Sequence, residues 1–362
     1  MDVLFDDAVL SQYMKDKKIQ PYRLKQVLQE LYKNQNISWD EMTTLPKDLK
    51  SELSEQFEII NLSIEQIIES DDTTKFAFKT HDWYTIEAVL MFHRSKHFDD
   101  KLNRITLCLS SQIWCPMWCA FCVTWKLGLI RNLEWTEIIS QMLFVNHYIK
   151  EKFGKKEDWT LRSVRNVVFM WMWEPLLNYE NVTKSIEIMF RQDRFSLSRR
   201  HVTISTVWVI PWIQRLIDDK IEAMLAVSLH APTQALREKI LPSAKRFQLD
   251  ELMDVTKKYE KSTWNRLFYE YIMIAWLTDW EQNEKDLIKL LKWQNCHINL
   301  IPYNENPVVD FKESSIESIN AFKKMLEDWW LTVTIRDSMG RESKWACGQL
   351  GYEKLMNNDV LD

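Results

Sequence analysis

The chain has 362 residues, 46% hydrophobic and 27% charged, close to the averages of soluble globular proteins, which excludes a disordered or fibrous molecule and leaves room for one large domain plus an accessory piece. Its net charge of -5 argues against a nonspecific polyanion binder, so nucleic-acid contact would have to be local, with residues 15–25, 196–201 and 237–246 as the basic candidates. Six cysteines, no leader-like N terminus and no run of 18 apolar residues predict a cytoplasmic chain without a membrane span, whose thiols serve a metal or catalysis.

Glycine and tryptophan stand apart from the rest of the composition. A chain of this length ordinarily carries roughly 25 glycines. This one has 5, with 18 tryptophans; adding the 17 tryptophans other than Trp39 to the 5 glycines gives 22. Asp-Trp steps at 82–83, 279–280 and 328–329 stand where Asp-Gly would be a turn signal. We read the sequence as one in which tryptophan systematically occupies glycine positions.

Residues 1 to 60 predict a small helical module, with apolar residues at helical spacing in PYRLKQVLQELYKN and a capping serine, Ser38, ahead of SWDEMTTLPKDLKSELSEQF. Residues 61–103 predict a β-hairpin extension: 73–93 alternate like paired strands, with His81-Asp82-Trp83 at the turn. Residues 104–335 then repeat a short apolar strand followed by an amphipathic helix, with strands at 104–111, 164–172, 201–207, 223–230, 267–275 and 297–304. Six such units predict an α/β fold, a partial (β/α)6 barrel of parallel strands with its chemistry at their C-terminal ends. Residues 336–362 form a C-terminal segment.

The stretch CPMWCAFC places Cys115, Cys119 and Cys122 on the loop between the first of these strands and its helix. Soft thiolates this close select zinc or an iron-sulfur cluster, unless the cysteines simply pack as small hydrophobes. Structural zinc wants a fourth ligand, and the nearest downstream candidate, His147, falls within a predicted helix. Three thiolates instead leave one iron of a 4Fe-4S cluster open.

That stretch matches the CxxxCxxC motif of radical SAM enzymes. In order along nearly the whole chain, LCLSSQIWCPMWCAFC, VVFMWMWEPLLNYENV, TISTVWVIP, AVSLHAP, NLIPYN, TIRDSMG and WACGQL resemble the radical SAM adenine-C2 RNA methyltransferases that act on 23S rRNA and tRNA, as does MTTLPKDLK in the N-terminal module. The resemblance implies a radical SAM barrel, an RNA-binding N-terminal module, and a 4Fe-4S cluster on Cys115, Cys119 and Cys122. It implies two S-adenosylmethionine (SAM) molecules per turnover, contacted by Trp173 and Glu174 in place of a Gly-Glu pair, and by Ser205, Ser228, Leu229, His230 and Asn304. It further implies that Cys347 carries a methyl group taken from one SAM. A 5'-deoxyadenosyl radical from the second SAM activates that group for addition to C2, an electrophilic carbon to which direct methyl-cation transfer is mismatched. Glu87 matches the family's proton acceptor, and Cys108 the thiol that closes a disulfide with Cys347 to release the product. An external electron donor such as flavodoxin or ferredoxin and a monomeric state belong to the same expectation.

Cys296 matches no motif and is expected in the core. Two other readings stay open: the C8-methylating relative that confers ribosomal antibiotic resistance, and a noncatalytic metal-holding RNA-binding protein. Departures from the family fall almost entirely at glycine, including Trp114, Trp118, Trp125, Trp171, Trp173, Trp208, Trp212 and Trp345. An indole removes the positive φ and close approach that glycine allows, and each overpacked substitution costs about 1–3 kcal/mol. We therefore expect this chain to bind cluster and SAM poorly.

Overall fold

The computed structural model describes residues 1–94, 102–122, 128–154, 162–171, 174–207, 209–306 and 309–336. The N-terminal region holds strand β1 (Asp2–Val3), helices α1 (Asp7–Asp16), α2 (Tyr22–Tyr32) and α3 (Lys47–Ser54), and β2 (Phe57–Glu58), which pairs in parallel with β1. Asp6 caps α1 through its carboxylate, which accepts the Ala8 and Val9 amides. The helix expected after Ser38 begins only at Lys47. Pro46 disfavours helical backbone at Leu45, and the buried Glu30 carboxylate takes the Thr44 amide at 3.0 Å, so the preceding residues form turns.

Next come β3 (Ser63–Glu69), β4 (Thr73–Lys79) and β5 (Thr85–Arg94), antiparallel neighbours that continue into β6 (Leu102–Ser110). The expected hairpin is β4–β5; β3 adds an edge strand whose side chains are nearly all exposed, so no apolar alternation announced it. A short antiparallel pair, β7 (Gln112–Ile113) and β8 (Arg131–Asn132), follows, then α4 (Trp135–Phe153). The repeating units continue with β9 (Asn166–Trp171) and α5 (Tyr179–Phe190), then β10 (Val202–Thr206) and α6 (Ile210–Asp218). After these come β11 (Met224–Ser228) with α7 (Gln234–Ile240) and α8 (Leu249–Thr263), β12 (Leu267–Met273) with α9 (Glu281–Leu291), and β13 (Cys296–Pro302) with α10 (Ile316–Asp328). A further parallel strand, β14 (Thr332–Ile335), closes the series.

All but the short pairs join one ten-stranded sheet in the order β14-β13-β12-β11-β10-β9-β6-β5-β4-β3, parallel from β6 to β14, with β14 and β3 as its edges among the described residues. Strand registers sort its residues into two faces. Leu107, Phe169, Ile204, Leu225, Tyr269 and Ile298 alternate onto one face and are buried with helix residues such as Ile138, Ile186, Ile213 and Phe322 in the main core. Cys296 belongs to that core too. The other face is more polar. Pairings of Val89 with Cys108, Val168 with Thr203, Ser205 with Ala226, Ser228 with Glu270, and Glu270 with Asn299 carry Glu87, Cys108, Ser205, Ser228, Glu270 and Asn299 across it.

The tryptophans take backbone positions suited to glycine. Trp83, Trp114, Trp264, Trp276 and Trp330 have φ between 57° and 68°, the left-handed region that a bulky side chain rarely enters. Trp264 is the left-handed cap at the end of α8, a position where glycine is the common residue. Of the tryptophans expected to crowd the site, Trp118 is exposed and Trp212 packs against the main core; Trp83, Trp264, Trp276, Trp293 and Trp330, elsewhere in the fold, are exposed as well. Among the described tryptophans flanking the cysteines, Trp114 is the buried one, at 7% exposure.

Candidate functional site

The cysteine loop is held at its base by amide side chains and one arginine. Where β6 ends, Gln141 of α4 takes the place of a neighbouring strand: its Oε1 accepts the Ser110 amide and its Nε2 donates to the Ser110 carbonyl, both at 3.1 Å. Asn178 donates to the carbonyls of Ser111 and Leu133, at 2.8 and 2.7 Å, and Gln112 Nε2 donates to Asn132 Oδ1 at 2.8 Å. Arg131 forks between two carboxylates, Asp82 of the hairpin turn and Glu137 in the first turn of α4, with contacts of 2.7–2.8 Å. Its guanidinium holds the Asp82 carboxyl well below the usual range.

Cys115, Cys119 and Cys122 are buried in a small apolar cluster with Met117, Ala231, Ile240, Leu241 and Ala244. The Ala120 amide donates to the Ile240 carbonyl at 2.8 Å, which ties the loop to the end of α7. Burial drives the Cys115 and Cys119 thiols well above the ordinary range, and the neighbouring sulfurs push the same way. A bound cation is what would convert such thiols into thiolates. Among the described residues, the ligand trios gathered within 4.8 Å are Glu41 with His147 and Glu151, and His81 with Asp82 and Glu137; the three cysteines are not one of them. His147 Nδ1 instead contacts the Gln35 carbonyl at 3.0 Å, away from the cysteines.

Glu174 is fully buried at the start of a 3-10 turn, Pro175–Asn178. One carboxylate oxygen accepts the Leu176 amide at 3.2 Å and the other the Val207 amide at 2.7 Å, while its own amide donates to Gln112 Oε1. Burial pushes its carboxyl up to about 7, against the pull of the Val207 amide. His230 follows β11 with φ 57°, donates its amide to the Glu270 carbonyl, and sets its ring edge-on to Phe121 of the cysteine loop, centroids 5.0 Å apart. Burial, reinforced by the charge of Arg237, lowers its imidazole to about 3, so the ring is neutral, and Nδ1 has no hydrogen-bond partner among the described residues. Leu229, fully buried, and Ser228 lie beside it at the strand end; Ser205 sits near the end of β10, and buried Asn304 follows β13.

Glu87 and Cys108 lie on the polar face of the sheet. Cys108 pairs with Val89, two positions along β5 from Glu87, whose Oε1 forms a largely buried ion pair with Lys75 at 3.2 Å. Glu87 Oε2 has no hydrogen-bond partner among the described residues. Trp173 and Cys347 lie outside the described residues, as do Trp125, Trp208 and Trp345. The implied Cys108–Cys347 disulfide is therefore not supported: Cys108 is a buried thiol.

One residue departs from its sequence reading. The run 237–246 was a candidate basic face, yet Arg237 is fully buried, donating through Nη2 to the Val207 carbonyl at 2.5 Å and through Nε to the Leu229 carbonyl at 3.3 Å. The supporting residues Arg131, Gln112, Gln141 and Asn178 carried no signal in sequence, because their partners lie on other elements. Among the described residues, no helix is long and apolar enough to cross a membrane.

Residues 3–59 match the ribosomal RNA large subunit methyltransferase N-terminal domain. The probable dual-specificity RNA methyltransferase RlmN of Dictyoglomus turgidum is 37% identical over 336 residues, 93% of this chain and 92% of that protein. Its counterpart from Clostridium botulinum is 38% identical over 343 residues, covering 94% and 93%. The crystal structure of a radical SAM methyltransferase from Sphaerobacter thermophilus superposes with a TM-score of 0.88 at 32% identity, over 96% of this chain and 99% of that one. Likeness of that extent, over a fold that gathers the cysteine loop at the ends of parallel strands, places the chain in the RlmN family of radical SAM RNA methyltransferases.

Proposed function

We propose that this is a radical SAM enzyme whose glycine-bearing form methylates C2 of a specific adenine in 23S rRNA, at the peptidyl transferase centre, and in tRNA, next to the anticodon. The observation that carries the reading is three buried thiols clustered with the ends of β11 and α7, beside Glu174 and His230. Their donor set fits a 4Fe-4S cluster: all soft sulfur, and three in number. When bound there, the cluster supplies one-electron cleavage of SAM at its open iron, with the electron coming from a flavodoxin or ferredoxin.

The protein's part is positioning and proton handling. Glu174, Ser205, Ser228, Leu229, His230 and Asn304 border the SAM site, with Trp173 standing where the family has glycine. Cys347 carries the methyl group and Cys108 is the thiol that releases the methylated base. Glu87, fixed by Lys75 through one oxygen, accepts the proton from C2 with the other. Residues 1–60 serve as the RNA-binding module, 61–103 as the hairpin extension, 104–335 as the core and 336–362 as the segment bearing Cys347. The enzyme works as a cytoplasmic monomer.

The chain as written holds cluster and SAM poorly, because Trp114, buried with φ 63° next to Cys115, stands at a position built for glycine. The test is mass spectrometry of nucleosides from rRNA and tRNA of cells expressing this chain or its version with glycine at the 17 tryptophans other than Trp39. The expected result is 2-methyladenosine from the glycine version and little or none from this chain. 8-Methyladenosine, or no methylated adenosine from either version, would overturn the assignment.

A further inference from the structure

Arg237 lies outside every position to which the family resemblance assigns a role, yet it is among the largest fully buried side chains in the molecule. Its donors fix it from two sides: Nη2 to the carbonyls of Val207 and Ser228, at 2.5 and 3.4 Å, and Nε to the Leu229 carbonyl at 3.3 Å. These carbonyls lie at the ends of β10 and β11. Its helix, α7, ends at Ile240, whose carbonyl takes the Ala120 amide from the middle of the cysteine loop at 2.8 Å. The remaining nitrogen, Nη1, is buried and has no hydrogen-bond partner among the described residues.

A buried guanidinium is costly unless an anion faces it. Burial pulls the Arg237 guanidinium down to about 10, and its helix carries it to the cysteines: Ile240, Leu241 and Ala244, which follow it, pack in one apolar cluster with Cys115, Cys119 and Cys122. An isolated neutral thiol gives nothing in return for a buried cation, whereas a metal–thiolate centre with net negative charge does.

We infer that Arg237 is the built-in counter-cation of the centre held by Cys115, Cys119 and Cys122, and that it sets the potential at which that centre takes up an electron. The inference rests on the iron-sulfur reading above. In the step concerned, a low-potential one-electron donor gives one electron to the cluster, which becomes more negative by one charge; no bond forms or breaks and no proton moves. A fixed positive charge in a low-dielectric site favours the more negative state. Three main-chain carbonyls keep the guanidinium in place, so Arg237 is a positioning residue that acts through the cluster and not on substrate.

The experiment uses the full-length chain with glycine at the 17 tryptophans other than Trp39, reconstituted anaerobically with iron and sulfide, and carrying Arg237, Arg237→Gln or Arg237→Lys. Potentials are read by redox titration monitored by electron paramagnetic resonance. In Arg237→Gln, which keeps amide donors and loses the charge, the reduced-to-oxidised ratio at a fixed potential is expected to fall about tenfold or more, a shift of about 59 mV for a one-electron couple. Arg237→Lys should recover most of it. An Arg237→Gln protein with less iron but the same midpoint would show a purely structural residue and sink the inference alone. Zinc or no metal in the Arg237 protein would sink the iron-sulfur reading, and this inference with it.

Discussion

Restoring glycine at Trp264 tests the reading of the tryptophans without touching the cysteine loop. Trp264 is the left-handed cap of α8, at φ 57° and ψ 13°, and is 88% exposed, so its indole contributes almost no burial. Left-handed backbone costs a side-chain-bearing residue roughly 1–2 kcal/mol, partly offset by the larger backbone entropy that glycine loses on folding, roughly 0.5–1 kcal/mol. Trp264→Gly should therefore stabilise the fold by about 1 kcal/mol. Trp293 supplies the control: it is just as exposed, at 87%, but is not among the residues with positive φ. Its indole has Lys292 Nζ 5.3 Å from the ring centroid, a contact worth at most about 1 kcal/mol at an exposed site. Trp293→Gly should then be neutral or slightly destabilising. Paired urea titrations of the two variants measure the contrast; equal shifts, or a loss of stability at Trp264, would refute the argument that these positions were built for glycine.

Further predictions follow from the site. Glu174 has its carboxyl raised to about 7 in the folded chain against an ordinary 4.5, so the folded state holds the proton more tightly. The stability this contributes is complete below the unfolded value and is lost as pH rises through the folded one, on the order of 3 kcal/mol between about pH 4.5 and 7. In the metal-free chain, Glu174→Gln should flatten the stability profile across that window; an unchanged slope in thermal unfolding would contradict it. Arg131→Ala strands the Glu137 side chain, which is 1% exposed, and should cost about 3–5 kcal/mol, whereas Asp82→Asn, at a 31% exposed partner, should cost roughly 1 kcal/mol or less. Similar losses for the two in chemical denaturation would show that the clamp does not depend on the buried carboxylate. In the glycine-restored protein, Glu87→Gln should slow adenine methylation by about 10²–10⁴-fold while iron content is kept, as measured by single-turnover assays.

Much of the fold was legible because helix and strand periodicities are local properties. The parallel units from β6 to β13 and the hairpin β4–β5 lie where apolar spacing placed them. What escaped was set by tertiary context: β3 has no buried face to mark it, β14 spans four residues, and Pro46 delays α3. At the site, the cysteine triplet and the family blocks were visible as text. Their supports were not, since an amide such as Gln141 or Asn178 becomes a strand partner or a staple only when folding brings distant carbonyls to it. Arg237 was actively misleading: in sequence it heads a basic run, and in the fold it is fully buried near the cysteines.

Metal analysis of the glycine-restored chain after anaerobic reconstitution decides what the three thiols hold. Iron and sulfide are expected in equal amounts, about four of each per chain as in a cubane, and both should be lost when Cys115, Cys119 and Cys122 are replaced together by alanine. Zinc bound in their place, or iron that survives the triple replacement, would contradict it.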